Sequence, residues 1–96
     1  MIATSTLRLF AVHEAEFYHL DTERFVATIQ CESGFMWDEV GDDGASLGVV
    51  QIDRKYHPDI SPADAYNGYW AIAWMAAEWN RGKPGEWSCY RKLYGR

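Results

Sequence analysis

Residues Tyr69 to Arg81 read Tyr-Trp-Ala-Ile-Ala-Trp-Met-Ala-Ala-Glu-Trp-Asn-Arg. Good helix formers and large apolar side chains fall on nearly every side of that stretch. A helix apolar all round has to be surrounded, so it belongs at the centre of a core. Its apolar run, Tyr69 to Ala77, is far short of the ~18–20 residues that span a bilayer. The chain has 96 residues, for which surface scaling gives ~16,000 Å² unfolded and ~5,600 Å² folded. That is enough for one small core. A single domain over residues 1–96, built round this helix, is expected.

The remaining elements arrange themselves about it. Thr4 to Thr6 offer N-caps, and Leu7 to His19 reads as a helix with Leu7, Phe10, Ala11, Phe17 and Tyr18 near one face, Glu14 interrupting it. Asp21 or Thr22 caps a second helix with Glu23 in its first turn, and Gly34 ends it. From Met36 to Asp53 the character changes. Gly41, Gly44 and Gly48 punctuate the segment, Asp42-Asp43-Gly44 signals a turn, and Leu47 to Ile52 holds a short apolar run. A small β-hairpin or an ordered loop is expected there. Ser61-Pro62-Ala63-Asp64 is a helix start, weakened at Gly68. After Gly82 and Pro84-Gly85 end the central helix, Trp87, Tyr90, Leu93 and Tyr94 mark a last short one. The fold class is mainly α (α+β): a helical domain with a small β-hairpin or loop lobe after the second helix.

Fifteen of the 96 residues are Phe, Trp or Tyr, which suits either a small core or a groove for flat-faced ligands such as sugar rings or bases. The net charge of -5 argues against nucleic acid as a partner. Residues 1–53 hold ten acids and two bases, while residues 79–96 hold five bases and one acid. Attraction between the two ends is the simple expectation. No stable membrane insertion is expected, and a monomer is. The N-terminal residues show no basic stretch followed by an apolar one. The chain therefore stays inside, leaves by another route, or is a domain cut from a longer protein.

Glu32 stands where a carboxylate is out of place. It follows Phe25 by seven residues and Ile29 by three, on the same apolar stripe and in the last helical turn, where the macrodipole is negative. Desolvation and the dipole both disfavour its ionised form. Such a carboxyl can donate a proton to a leaving oxygen. The alternative is an ion pair with an arginine from elsewhere in the chain.

Cys31-Glu32-Ser33-Gly34-Phe35 resembles the Glu-Ser-Gly-Phe segment of lytic transglycosylases and related lysozymes. Gly44-Ala45-Ser46-Leu47-Gly48-Val49-Val50-Gln51-Ile52 resembles their Gly-x-x-Gln-Ile segment, and Leu20 to Phe25 is similar to the start of their catalytic helix. The likeness is good over residues 18–53 and loose elsewhere. It implies a lysozyme-like fold that cleaves the β-1,4 bond between N-acetylmuramic acid and N-acetylglucosamine in peptidoglycan. It also implies Glu32 as the catalytic acid, with Gln51 lining the glycan cleft and Ser33 and Ser46 shaping it. Tyr56 is a further substrate-binding candidate, able to stack on a sugar. No cofactor and no metal are implied. Ala65-Tyr66-Asn67-Gly68 looks like the family's Ala-Tyr-Asn-Ala-Gly segment but comes too soon after Ile52 to be the same element. Trp87-Ser88-Cys89-Tyr90 resembles the ending of a shorter variety that also has a Cys before the catalytic Glu. The resemblance thus brings Cys31 and Cys89 close in space, as a disulfide or as two buried thiols. It places the activity at the cell wall, as in a phage endolysin or virion-associated enzyme, or in a domain of a larger wall-acting protein.

Two chemical routes stay open. A hydrolase needs a second carboxylate, and Asp42, Asp43 and Asp53 are candidates, although Asp42-Asp43-Gly44 is also plain turn chemistry. A transglycosylase needs only Glu32, because the substrate's own 6-hydroxyl attacks. Other signals carry less. Gly44 to Gly48 matches a Gly-x-Ser-x-Gly nucleophile elbow, but the chain is too short for the parallel sheet that motif requires. Cys31 with His57 is a poor thiol nucleophile, since nearby acids raise its pKa. His13, His19 and His57 lack metal-ligand spacing. Trp70 and Trp74 are assigned to the core, and Arg91, Lys92 and Arg96 to a solvated helix end.

Overall fold

The computed structural model describes residues 2–95. The chain runs α1 (Thr4–Phe17), α2 (Thr22–Ser33), β1 (Val40–Gly41), β2 (Ser46–Leu47), β3 (Ile52–Asp53), α3 (Pro62–Ala65), α4 (Gly68–Asn80) and α5 (Ser88–Tyr94). Short 3₁₀ turns occupy Asp42–Gly44 and Pro84–Glu86. It is mainly helical, with one small antiparallel sheet.

α4 is the expected central helix. Ala71, Ile72, Met75, Ala76 and Trp79 are buried along it. Its one acid, Glu78, is only 6% exposed and reaches Arg81 at 3.2 Å. α3 and α4 are separate because Asn67 caps α4, its side chain accepting from the Trp70 N–H at 3.1 Å. α1 approaches α4 closely: a Cβ on Gly68 would sit 2.7 Å from Leu7 Cδ2. The buried face of α1 is Leu7, Ala11 and Ala15, a narrow i, i+4 stripe of mostly small residues. Phe17, expected inside, is 67% exposed. The helix also starts earlier than expected, after Ala3 with no side-chain cap. It ends when His19 takes a left-handed φ of 57°, a region open to His more than to most residues.

α2 follows its sequence signals. Asp21 Oδ1 accepts from the Arg24 N–H at 3.1 Å, and Gly34 ends the helix with φ 63°. Phe25, Thr28 and Ile29 are buried, and Glu32, one turn on, is half-buried. The following lobe is a three-stranded meander in the order β1-β2-β3. Val40 pairs with Leu47 and Gly41 with Ser46; Leu47 pairs with Ile52 and Ser46 with Asp53. Asp42, Asp43 and Gly44 all have positive φ (52°, 55° and 95°), so the turn is left-handed throughout, which Asp and Gly tolerate best. Gly48 (φ 84°) is required twice over: its backbone is left-handed, and a Cβ there would overlap the Ala65 carbonyl. That close approach seats the lobe on α3.

The ends of the chain meet, but not through the ion pairs that the charge distribution predicts. Among the described residues, charged pairs join neighbours (Arg24–Asp21, Arg81–Glu78, His13–Glu14) or His57 with Glu86. α5 instead lies on α2 through the Cys31–Cys89 disulfide and through Arg24, whose guanidinium lies 4.4 Å from the centre of the Tyr94 ring. Arg96 lies outside the described residues.

Candidate active site

A cleft of about 870 Å³ opens between the helical body and the β lobe. Glu32 enters it from the last turn of α2. Glu32 Oε2 accepts from the Cys89 N–H at 3.0 Å, and the Ser88 side chain also hydrogen-bonds the carboxylate. Burial is the largest influence on this group and pushes its pKa above the ordinary 4.5, helped by the nearby negative charge of Asp42. The Cys89 and Ser88 hydrogen bonds and the positive charge of Arg91 act in the opposite direction and are outweighed. Among the described residues, Glu32 makes no ion pair within 4.0 Å. The expected arginine partner is therefore not in contact, and Arg91 acts on Glu32 only through its charge.

The lobe forms the facing wall. Asp42, Asp43, Ser46, Gln51 and Asp53 all line it, and their backbones explain why. Ser46 is buried and donates its hydroxyl to Asp42 Oδ2 at 2.6 Å, across the turn. Asp53 Oδ1 accepts from the Lys55 N–H at 2.9 Å. Gln51 has φ 55°, a left-handed conformation that costs an ordinary side chain roughly 1–2 kcal/mol. Its amide Nε2 donates to the carbonyls of Glu39 (3.1 Å) and Gly48 (2.9 Å). Gly41 leaves the space that its Oε1 occupies. Gln51 therefore holds β1 to the β2–β3 turn, and only its acceptor oxygen remains for a ligand.

Ser33, which the resemblance gave a part in shaping the cleft, lies behind its wall. It is buried and lies off the cleft lining. Its hydroxyl donates to the Val49 carbonyl at 2.5 Å and accepts from the Phe35 N–H at 3.1 Å. That bridge fastens the end of α2 to the lobe, so its part in the site is structural. Cys31 and Cys89 form a disulfide, which removes the thiol-nucleophile reading. Ser46 sits in an antiparallel meander, which removes the nucleophile-elbow reading.

Several cleft residues were assigned elsewhere from sequence. Trp74 is half-buried and lines the cleft; Trp70, parallel to it within 8° at 6.4 Å, is 36% exposed. Trp74 packs against the core while facing the cleft, and Trp70 stands outside it. His57 lies nearly perpendicular to Trp74, ring centres 4.9 Å apart, and its Nε2 is 3.3 Å from Glu86 Oε1. Trp87 is buried in the floor, donating from Nε1 to the Val50 carbonyl at 2.8 Å. Arg91 also reaches the cleft, braced by a 2.6 Å hydrogen bond to the Gly85 carbonyl. Lys92 is exposed and outside it. Tyr56, 80% exposed, is among the residues that line the cleft. A uniformly apolar helix gives no periodic clue to which tryptophans face a groove. Arg91 was findable: it lies two residues past the cysteine that pairs beside Glu32.

Among the described residues, no three His, Cys, Asp or Glu side chains gather as a metal site. The arrangement offers one carboxyl whose pKa burial raises, the carboxylates of Asp42, Asp43 and Asp53 on the facing wall, and aromatic faces alongside. Chemically, a carboxyl so placed can donate a proton, and the aromatic faces can pack on a flat group. No family model, no curated protein and no solved structure matches this chain.

Proposed function

We propose that this chain is a lysozyme-like enzyme that cleaves the β-1,4 bond between N-acetylmuramic acid and N-acetylglucosamine in peptidoglycan, with Glu32 as general acid and then base. One observation carries the reading: the carboxyl of Glu32, its pKa raised by burial, projects into an open cleft between a helical body and a β lobe. The motifs of the resemblance fall on the two sides of that cleft, Glu-Ser-Gly-Phe at the end of α2 and Gly-x-x-Gln-Ile on the lobe. Peptidoglycan glycan strands are the partner, and the acid–base step calls for no cofactor. No helix among the described residues is long and apolar enough to cross a membrane.

In this reading a glycan strand lies along the cleft with a glycosidic oxygen at Glu32. Proton transfer from Glu32 lets the bond break towards an oxocarbenium-like transition state. The new carboxylate keeps the Cys89 N–H as a partner and accepts the proton of the attacking hydroxyl. Attack by the substrate's 6-hydroxyl gives a 1,6-anhydro product; attack by water gives a hydrated one. Asp42 is the observation that favours the second route, since it lines the same cleft and its charge is felt at Glu32. Mass spectrometry of soluble fragments from purified peptidoglycan decides between them. Products one water lighter than hydrated muropeptides mean transglycosylation. Hydrated products that disappear in Asp42→Asn mean hydrolysis. The absence of any soluble product would sink both and leave a wall-binding module.

A further inference from the structure

Glu32 and α5 hold each other. α5 has seven residues, and its N-cap, Trp87, supplies no side-chain acceptor. A helix this short does not persist alone, and its first N–H groups need acceptors from elsewhere. The Cys89 N–H finds one in Glu32 Oε2, at 3.0 Å. The covalent bond that keeps Cys89 in place begins at Cys31, the residue immediately before Glu32. A closed circuit results, from the carboxylate to the Cys89 amide, across the disulfide and back along the chain to Glu32. Other ties hold the two ends of α5 and not the turn at Cys89: the buried Trp87 before it, bonded to the Val50 carbonyl, Arg91 on the Gly85 carbonyl, Tyr90 edge-on to Trp79 at 5.2 Å, and Arg24 against Tyr90 and Tyr94. Cys31 is exposed while Cys89 is buried, so a reductant can reach the bond from the α2 side.

We infer that Cys89 is a positioning residue for Glu32, and that the Cys31–Cys89 disulfide sets whether the site works. The inference rests on the catalytic reading of Glu32. With the bond intact, the Cys89 N–H fixes the carboxyl in the cleft. A dithiol reductant breaks the Sγ–Sγ bond by thiol–disulfide exchange. Two electrons and two protons pass to the protein, leaving two thiols, and the reductant becomes its own disulfide. α5 then stays anchored at Trp87 but is free to pivot there, which carries the Cys89 amide, the Ser88 hydroxyl and Arg91 away from the carboxyl. Asp42, on the lobe, stays. A chain of this design is held back in a reducing compartment and becomes competent where disulfides form.

The test compares oxidised protein, protein reduced with dithiothreitol, and Cys31→Ser/Cys89→Ser, all well below their melting temperatures. Muropeptide release is expected to fall at least about tenfold on reduction and in the double variant, and to return when the reduced protein is reoxidised with glutathione disulfide. The alkaline limb of the pH–rate profile is expected to move, because the groups that favour ionised Glu32 leave with α5. A bond that serves stability alone would lower the melting temperature and move neither the rate nor the limb; that result overturns the inference. If the reduced chain unfolds, Cys31→Ala/Cys89→Val, which fills the space of the sulfurs, replaces it. Oxidised protein that releases nothing refutes the cleavage reading instead. Carboxyl NMR of Glu32 then still decides the positioning: different titration midpoints in the two redox forms support it, and equal midpoints overturn it.

Discussion

The Glu32 carboxyl holds its proton more tightly in the folded chain than in the unfolded one, because burial outweighs the hydrogen bonds and the Arg91 charge that favour ionisation. Linkage gives this a sign. A carboxyl with a raised folded pKa contributes stability that is fully present below its unfolded value of 4.5. That stability is lost as pH rises through the raised folded value. Glutamine has no such proton to lose. Glu32→Gln is therefore expected to melt close to wild type below pH 4.5 and above it at neutral pH, the difference growing across that window and then levelling. Scanning calorimetry over pH checks this, and a difference that shrinks as pH rises would contradict it. Activity follows the same group: cleavage is expected to fall along the alkaline limb set by Glu32. Ser33 shows the opposite kind of residue. Its place in the motif gave it a part in shaping the cleft, and its hydroxyl does this by bridging Val49 and Phe35 inside the protein. Ser33→Ala is expected to cost about 1–3 kcal/mol of stability by leaving buried partners unpaired. At temperatures where it is folded, its turnover should stay within about twofold of wild type. Lost turnover with unchanged melting would return Ser33 to the substrate side. Spacing on a stripe was enough to single out Glu32, whereas nothing local in the sequence told which way Ser33 would turn.

Elements announced by their ends were the most legible. Asp21 and Gly34 bracket α2, Ser61-Pro62 opens α3, and the run from Tyr69 is α4. The lobe was legible as punctuation only. Its strands are two residues each, too short for an alternating pattern, and its shape depends on the left-handed Asp42-Asp43-Gly44 turn and on Gly48 against Ala65. α4 was placed correctly but assigned wholly to the core. An all-apolar helix satisfies burial whichever face it turns to a groove, so the sequence carried no mark of Trp74 at the cleft. Trp74→Ala is expected to weaken binding of peptidoglycan fragments about tenfold, the worth of a good ring–face contact. Trp74→Phe should retain most of that affinity. Titration in the Glu32→Gln background reads it without turnover. Unchanged affinity with a lowered melting temperature would confine Trp74 to support of Trp87 and His57.

At the scale of the whole molecule, two walls from distant stretches of chain make one site. α2 and α5 are joined by a disulfide between residues 58 apart, and the lobe is closed on α3 by a glycine. The charge imbalance between the two ends suggested that they attract. They do meet, but a covalent bond and Arg24 against aromatic rings hold them, because the acids of the first half mostly face solvent or the cleft. The account stands or falls on whether one carboxyl turns this cleft from a binding groove into a cleaving one. The direct measurement is the release of soluble muropeptides from purified peptidoglycan by wild type and by folded Glu32→Gln, alongside sedimentation of each protein with the insoluble wall. Both are expected to sediment, with release lowered about 10²–10⁴-fold in the variant. Equal release by the two proteins, or wild type that binds the wall and releases nothing, would contradict the central claim.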